Sequence, residues 1–211
     1  MRIKSVRAWW VRIPIEPARQ HRSDFGQVQT FDSAILRIET EDGLVGWGEG
    51  KNAAGSAGAY GALVHMLNNE VGPQLIGRNA GDIGPIWEML YNGVRAGSAA
   101  SHGHAMPQIA RRGMSVAAIS AVDIALWDIL GKHLGQPVWQ LLGGRKADRL
   151  PAYASGGWAP AETIGEQLRA YIDTGGFRAV KMRVGAMDGA PHRSAARVRA
   201  ARKALGEGVD L

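Results

Sequence analysis

Apolar and polar residues alternate through much of the first fifty positions. Residues 33–40 alternate most cleanly, which predicts a strand with one buried face. The turn signal at 41–43 predicts a hairpin with a partner strand over 44–49, and 2–13 is predicted to be an earlier strand of the same sheet. The polar segment 14–30 is predicted to be a long loop, and loops of that length in compact domains commonly serve function.

Helical periodicity follows these strands. Residues 114–134 repeat apolar positions with a helical period and precede Gly135, which predicts a long helix that ends there. Shorter helices are predicted over 57–70 and 81–91. Residues 95–112 are rich in glycine, serine and histidine, so a loop is predicted for them.

From residue 150 strands and helices alternate, which predicts a parallel sheet built by right-handed crossovers. The predicted fold class is an α+β domain with an antiparallel sheet over 1–145, followed over 146–211 by two βα units and the start of a third strand. Two βα units and the start of a third strand leave one edge of the parallel sheet unpaired, so we expect an incomplete domain and a truncated chain. The predicted segments are strand 151–157, helix 161–174, strand 177–184, helix 191–205 and the strand start 209–211.

Composition excludes several classes of protein. The chain has no cysteine, which excludes a disulfide scaffold and cysteine-ligated metal sites. The net charge of +6 is spread along the chain without a nucleic-acid-binding pattern, so no nucleic-acid partner is expected. The most apolar stretch, 116–130, is interrupted by Asp123 and Asp128 and is predicted to be too short to cross a membrane. A cytoplasmic location is the expectation.

Two cations stand two residues apart on the strand predicted over 177–184. Lys181 and Arg183 would share one face, with the apolar Val180 and Met182 on the other. Two buried cations need an anion, which favours an anionic ligand such as a substrate carboxylate. An exposed pair on an edge strand, or a pair engaged in salt bridges, explains the pattern equally well.

Several segments resemble the mandelate racemase and muconate lactonizing enzyme group of the enolase superfamily. They occur in the family's order along essentially the whole chain. The resemblance implies a capping domain over a (β/α)₈ barrel, and abstraction of the proton α to a carboxylate with Mg²⁺ stabilising the enediolate. The matching segments are 41–49 (EDGLVGWGE), 118–128 (AISAVDIALWD), 131–138 (GKHLGQPV), 141–144 (LLGG) and Lys181-Met182-Arg183.

The resemblance implies roles for the two cations. Lys181 matches the first lysine of the family's Lys-x-Lys and would face the substrate carboxylate. Arg183 matches the second lysine, often the general base, but an arginine stays protonated at neutral pH and is a poor base. A base on a later strand therefore fits better, which favours dehydration of an acid sugar over racemisation by two opposed bases.

Further substrate contacts are expected in the loops and on the first barrel strand. The family's closing loop corresponds to 14–30, and a second specificity loop follows Gly50. The candidate residues are His21, Arg22 and Phe25 in the first loop, Lys51 and Asn52 in the second, and Ser155 on the strand. The family's Mg²⁺ ligands are expected beyond Leu211, so no metal ligand is assigned, and Asp123 and Asp128 are predicted to be structural or exposed.

The sequence thus predicts the N-terminal part of a Mg²⁺-dependent acid-sugar dehydratase, a lyase acting on a small hydroxy-carboxylate. A racemase or cycloisomerase of the same superfamily is the alternative isomerase reaction. A catalytically inert chain that only binds anions or associates is the alternative of a different class. The full-length protein is expected to be a homo-oligomer.

Overall fold

The computed structural model describes residues 1–17, 20–23, 26–51, 60–101, 113–145, 147–185 and 188–211, with the backbone alone for 21–23 and 93–101. The strands are β1 (Ile3–Pro14), β2 (His21–Ser23), β3 (Gly26–Val28), β4 (Thr30–Thr40), β5 (Val45–Gly50), β6 (Ala154–Gly156) and β7 (Val180–Met182). The helices are α1 (Gly61–Met66), α2 (Gly72–Leu75), α3 (Ile83–Ser101), α4 (Met114–Leu134), α5 (Val138–Leu141), α6 (Ile164–Gly175) and α7 (Pro191–Leu205). A π-helical turn, Leu67–Val71, joins α1 to α2.

Contacts divide the chain into two compact units. The first contains Met1–Glu16 and Gln29–Arg145, and the second contains Pro17–Val28 and Lys146–Leu211. Each unit has its own cluster of buried apolar side chains.

An antiparallel sheet with strand order β1-β4-β5 forms the base of the first unit. On β4, Ala34, Leu36 and Ile38 are fully buried, so the predicted alternation of residues 33–40 is confirmed. Helices cover this buried face of the sheet and contribute the rest of the core. The predicted α+β N-terminal domain, an antiparallel sheet with helices, is therefore confirmed.

Helix α4 packs directly onto the backbone of β5 because the strand has glycine at each inward position. A Cβ built on Gly48 would lie 1.9 Å from the carbonyl oxygen of Ala121, and one built on Gly46 would lie 2.1 Å from that of Ala125. Neither contact is sterically possible for a real side chain. The glycines thus set the distance between helix and sheet, and α4 ends at Gly135 in the left-handed conformation as predicted.

Side chains from helices occupy both outer edges of this sheet. At the β1 edge, the Asn68 amide accepts a hydrogen bond from the Ala8 N–H at 2.8 Å and donates one to the Ala8 carbonyl at 3.0 Å. At the β5 edge, Asp128 accepts a hydrogen bond from the Trp47 N–H at 2.9 Å. Unpaired strand edges attract other chains, so these contacts protect both edges.

The second unit contains two parallel strands backed by two helices. β6 pairs with β7 in parallel, and an isolated parallel bridge joins Ala179 to Asp210 at the start of a third strand. The inward residues Ala154 and Val180 pack with buried side chains of α6 and α7. The predicted succession of strand, helix, strand and helix is confirmed.

Two predicted loops contain regular structure. The segment 14–30 includes the hairpin β2–β3, in which His21 pairs with Val28. Helix α3 continues to Ser101, so the loop predicted from residue 95 was wrong over its first seven positions. Alanines at 96, 99 and 100 favour the helix and outweigh the single Gly97.

Within the described residues, α4 is the one helix long and apolar enough to cross a membrane, by length and composition alone. The sequence prediction that this region is too short to cross a membrane rested on the apolar stretch 116–130 alone. The helix that contains this stretch is longer and has 21 residues. In the structure this helix packs on β5, and its residues from Ala118 to Ile129 contribute to the core of the first unit. Its apolar character is that of a core helix.

Candidate active site

The open face of the β6–β7 pair brings two predicted residues together. Ser155 and Lys181 are register partners on neighbouring parallel strands, so their side chains emerge side by side on one face. Both residues are exposed, whereas Ala154 and Val180, on the opposite face, are buried against the helices. Among the described residues no carboxylate pairs with Lys181. Its ammonium group can therefore attract an anion brought to this face.

Arg183 has different surroundings from Lys181. β7 ends at Met182, and the Arg183 N–H donates a hydrogen bond to the Gly157 carbonyl at 3.3 Å. Arg183 is half-buried and lines a cavity of about 520 Å³ at the carboxyl ends of the two strands. Arg193 and Arg197 line the same cavity, together with the carboxylates of Glu162 and Asp188. Lys181 is exposed on β7, whereas Arg183 follows the end of the strand and lines the cavity. That the two side chains share one strand face stays a prediction.

A buried ion pair organises the loops around this cavity. Arg197 of α7 is only 7% exposed, and its guanidinium donates to the Asp188 carboxylate at 2.6 Å. It also donates to the carbonyls of Gly157 at 2.6 Å, Ala159 at 2.9 Å and Arg183 at 2.9 Å. One side chain thus joins the segment after β6 to the segment after β7. Parallel α/β sheets bind their ligands at this carboxyl end of the strands.

Asp188 remains ionised in this arrangement although it is buried. Burial alone would raise the pKa of its carboxyl, but hydrogen bonds from Ser194, Arg197 and the Gly185 N–H outweigh that effect and hold the pKa below its ordinary value. The Ser194 hydroxyl donates at 2.5 Å. Asp188 and Arg197 therefore form a charged pair with nearly all of their hydrogen-bonding groups satisfied.

The loop candidates remain predictions. His21 and Arg22 lie on β2, which belongs to the same compact unit as Lys181 and Ser155. Lys51 is exposed directly after β5. Phe25 and Asn52 lie outside the described residues.

The acidic residues of α4 differ in their surroundings. Asp128 bonds the Trp47 N–H and pairs with Lys132 at 2.7 Å, so it has a structural role. Asp123 is half-buried, and burial raises the pKa of its carboxyl. In the part of the chain that the structure describes, no three acidic, histidine or cysteine side chains come together in a metal-binding group. The described residues therefore do not fit a Mg²⁺ site.

Comparison with known protein families identifies the family to which the first unit belongs. The family model described as "Mandelate racemase / muconate lactonizing enzyme, N-terminal domain" matches residues 6–143. The chain belongs to the mandelate racemase / muconate lactonizing enzyme family. This confirms the resemblance found in the sequence and identifies the α+β domain as the family's N-terminal domain.

Similar proteins in this family perform different reactions. The chain is 43% identical over 144 residues to a D-galactonate dehydratase of Verminephrobacter eiseniae, covering 67% of this chain and 32% of that protein. It is 30% identical over 186 residues to an N-succinyl-L-Arg/Lys racemase of Bacillus cereus, covering 88% and 45%. A racemase structure from Streptomyces coelicolor with bound magnesium superposes with a TM-score of 0.78 at 32% identity, covering 98% and 53%. The chain thus spans about half the length of these relatives, or less.

Sequence reasoning missed the residue with the most contacts at this site. Arg197 stands in an arginine-rich helix, and a high content of arginine is typical of a helix with a solvated face. The signal available was its position: it shares one side of α7 with the apolar Ala201 and Leu205, which are both buried. An arginine within an apolar stripe is seldom exposed, and it needs a partner when buried.

Proposed function

We propose that this chain forms part of a Mg²⁺-dependent enzyme that abstracts the proton α to the carboxylate of a hydroxy-acid, and that the reaction is the dehydration of an acid sugar. The observation that carries the proposal is the exposed Lys181 beside Ser155 at the carboxyl end of two parallel strands, with no carboxylate partner among the described residues. The similarity to a D-galactonate dehydratase supports the substrate class. In this proposal residues 146–211 begin the barrel.

The chemistry requires positive charge at the substrate carboxylate. A carbon acid next to a carboxylate is very weak, because its deprotonation places a second negative charge on the same group. The Lys181 ammonium lowers the energy of that developing charge when it contacts a carboxylate oxygen. The Ser155 hydroxyl beside it can donate a hydrogen bond to the same ligand and orient it.

Arg183 and its cavity supply orientation and charge. A guanidinium stays protonated at neutral pH, so Arg183 cannot accept the substrate proton and instead binds anionic or hydroxyl groups. Arg197, which is paired with Asp188, donates a hydrogen bond to the Arg183 carbonyl and thereby positions the backbone at Arg183. The metal site belongs to residues other than those described, and no step is assigned to it.

The experiment uses the full-length protein and a panel of acid sugars that includes D-galactonate. Dehydration is measured as formation of a 2-keto-3-deoxy acid, and exchange of the α-proton is followed in D₂O. We expect Lys181→Met to lower kcat/KM about 10²–10³-fold. The matched control is Lys203→Met, since Lys203 is an exposed lysine on α7.

The outcomes separate the candidate functions. Exchange of the α-proton with inversion and without loss of water would favour the racemase, the reaction of the Bacillus cereus relative. A full-length protein that exchanges no α-proton would support the inert alternative. Unchanged turnover in Lys181→Met would refute the role of Lys181, and unchanged turnover in Arg183→Met would refute that of Arg183.

A further inference from the structure

A groove between α3 and α4 in the first unit has both acidic and aromatic walls. Its volume is about 510 Å³, which lies in the range of small-molecule sites. It is separate from the residues of the proposed active site, which all belong to other elements. The lining residues that matter here are Asp82, Pro85, Trp87, Asp123, Trp127 and Leu130, and we call this the α3/α4 groove.

Asp123 is the anionic centre of this groove. It is half-buried, and within the described residues its carboxylate has neither a hydrogen bond nor an ion pair. Burial raises the pKa of Asp123 with no opposing contribution. A partly buried carboxylate without a partner costs free energy. The neighbouring Asp128 shows the contrast, because both a backbone N–H and a lysine satisfy it.

Among the described residues that line the groove, none is a cation that could neutralise Asp123. The other charged residue among the described lining residues is Asp82, at the start of α3. A second small cavity beneath the groove, also touched by Asp123, has apolar walls. The chain as a whole carries a net charge of +6, so this acidic concavity stands out from the rest of the molecule.

Two indole rings complete the groove. Asp123 and Trp127 are four residues apart on α4 and therefore lie on one face of the helix. Across the groove, Trp87 of α3 is 40% exposed and stacks on Tyr91 with ring centroids 4.5 Å apart, which fixes its orientation. Indole faces attract cations, and a planar guanidinium can both stack on an aromatic ring and pair with a carboxylate.

We propose that the α3/α4 groove binds an alkylguanidinium group, such as an arginine side chain or an arginine-like metabolite. The guanidinium would pair with Asp123 and contact Trp87 and Trp127, while its alkyl chain would lie on Pro85 and Leu130. This site is independent of the proposed dehydration. It explains why a half-buried carboxylate lies among aromatic side chains with no partner in the described part of the chain.

The test is a pair of isosteric ligands added to the full-length protein. N-acetyl-L-arginine amide carries the guanidinium, and N-acetyl-L-citrulline amide replaces it with a neutral urea group of the same shape. Calorimetric titration should show the arginine ligand binding about tenfold or more tightly than the citrulline ligand. Asp123→Asn should remove that preference, while the matched control Asp173→Asn, at an exposed aspartate of α6, should retain it.

The location of binding is measured independently. Residues 1–211 contain seven tryptophans, and incorporation of 5-fluorotryptophan gives each tryptophan of the protein a ¹⁹F resonance. The arginine ligand should shift the two resonances that are missing from the spectra of Trp87→Phe and Trp127→Phe. Binding should also weaken as the pH falls through the raised pKa of Asp123, because the protonated carboxyl no longer attracts the cation.

Three results would overturn the proposal. The first is that the arginine and citrulline ligands bind with equal affinity, or that neither binds. The second is that Asp123→Asn keeps the preference for the arginine ligand. The third is that the ligand shifts only the ¹⁹F resonances of tryptophans other than Trp87 and Trp127. The ligand pair and the ¹⁹F shifts use the protein without a change at Asp123, so they decide the question even if Asp123→Asn fails to fold. The source of the guanidinium is tested by measuring the oligomeric state of the protein with the arginine ligand added. If the arginine comes from a second copy of the protein, the ligand should compete with it and dissociate the oligomers.

Discussion

The carboxylate of Asp128 on α4 accepts a hydrogen bond from the backbone N–H of Trp47 on β5, across 2.9 Å. One turn along the helix, the Lys132 ammonium contacts the same carboxylate and the Val45 carbonyl, each at 2.7 Å. An aspartate and a lysine on one helix thus satisfy an N–H and a C=O that a fourth strand would otherwise bond. This arrangement closes the edge of the sheet without another strand.

Asp128→Ala should therefore destabilise the first unit by about 1–3 kcal/mol, because the Trp47 N–H and Lys132 both lose their acceptor. Asp128→Asn should lose less, since its amide oxygen can still accept the Trp47 hydrogen bond. Urea unfolding followed by tryptophan fluorescence measures this, as six of the seven tryptophans lie in the first unit. Equal losses in the Ala and Asn variants would show that the hydrogen bond contributes nothing and that the ion pair alone stabilises the edge.

The glycines of β5 predict a second, larger effect. Gly48→Ala places a Cβ 1.9 Å from the Ala121 carbonyl oxygen, and both atoms belong to packed backbone. The helix must move away from the strand, which we expect to cost about 3 kcal/mol or more. Gly84→Ala is the control, because a Cβ at Gly84 on α3 meets no atom within 4 Å and should stabilise the helix slightly. A Gly48→Ala protein as stable as the control would contradict this packing.

The sequence predicted those elements whose signals are local. The period of α4, its end at Gly135 and the alternation of β4 depend on neighbours within a few residues, and all three were predicted. The partner of Asp128 was not predictable, because Trp47 lies 81 positions away. For Arg197 the helical period indicates a buried position beside Ala201 and Leu205, but it does not indicate the acceptor Gly157, which lies 40 positions away. The partner in a tertiary contact of this kind leaves no periodic trace in the sequence.

At the candidate site, too, local features were predicted and contacts between distant residues were not. Parallel pairing of β6 and β7 was implied by the strand–helix rhythm and by family resemblance, and it brings Ser155 and Lys181 together. The surroundings of Arg183 were not predictable, because the cavity that it lines is built with Trp158 and Arg197 from other parts of the chain. A regular alternation predicts which residues share a strand face, but not what surrounds them.

Arg197 should dominate the stability of the second unit. Arg197→Met leaves Asp188 buried without its cation and frees the carbonyls of Gly157 and Ala159, which we expect to lower the opening free energy by about 3 kcal/mol or more. Amide hydrogen exchange at Ala154–Gly156 and Val180–Met182 reports that opening. The control is Arg199→Met, an exposed arginine two residues along the same helix. Equal exchange in the two variants would refute the central role of Arg197.

The same ion pair gives the second unit an acid sensitivity. The pKa of Asp188 is lower in the folded protein than its ordinary value of 3.8, so the unfolded chain binds a proton there more readily. The stabilisation is present above pH 3.8 and is lost as the pH falls through the lowered folded pKa. Asp188→Asn should flatten this part of the acid dependence, as measured by hydrogen exchange at Val180–Met182 across the acid range. An unchanged profile would show that other carboxyls govern acid unfolding.

Asp123 should behave in the opposite way. Burial raises the pKa of Asp123 in the folded protein above its ordinary value of 3.8, so the native state holds the proton more tightly than the unfolded chain. Its destabilising effect is absent below pH 3.8 and is fully developed above the raised folded pKa. Asp123→Asn should therefore be more stable than the unmodified protein at pH 7, and the difference should vanish as the pH falls toward 3.8. Urea unfolding of the two proteins at both pH values measures it.

The sign of that difference also bears on the α3/α4 groove. A guanidinium ligand that binds only the ionised, folded form stabilises the unmodified protein and leaves Asp123→Asn unaffected. Saturating N-acetyl-L-arginine amide at pH 7 should therefore cancel or reverse the advantage of the Asn variant, whereas the citrulline ligand should leave it intact. An Asn variant that is less stable than the unmodified protein at pH 7 without ligand would show that the Asp123 carboxylate already contributes favourably to the fold. In that case the protein itself would stabilise the Asp123 carboxylate, and the argument for an external cation in the groove would be lost.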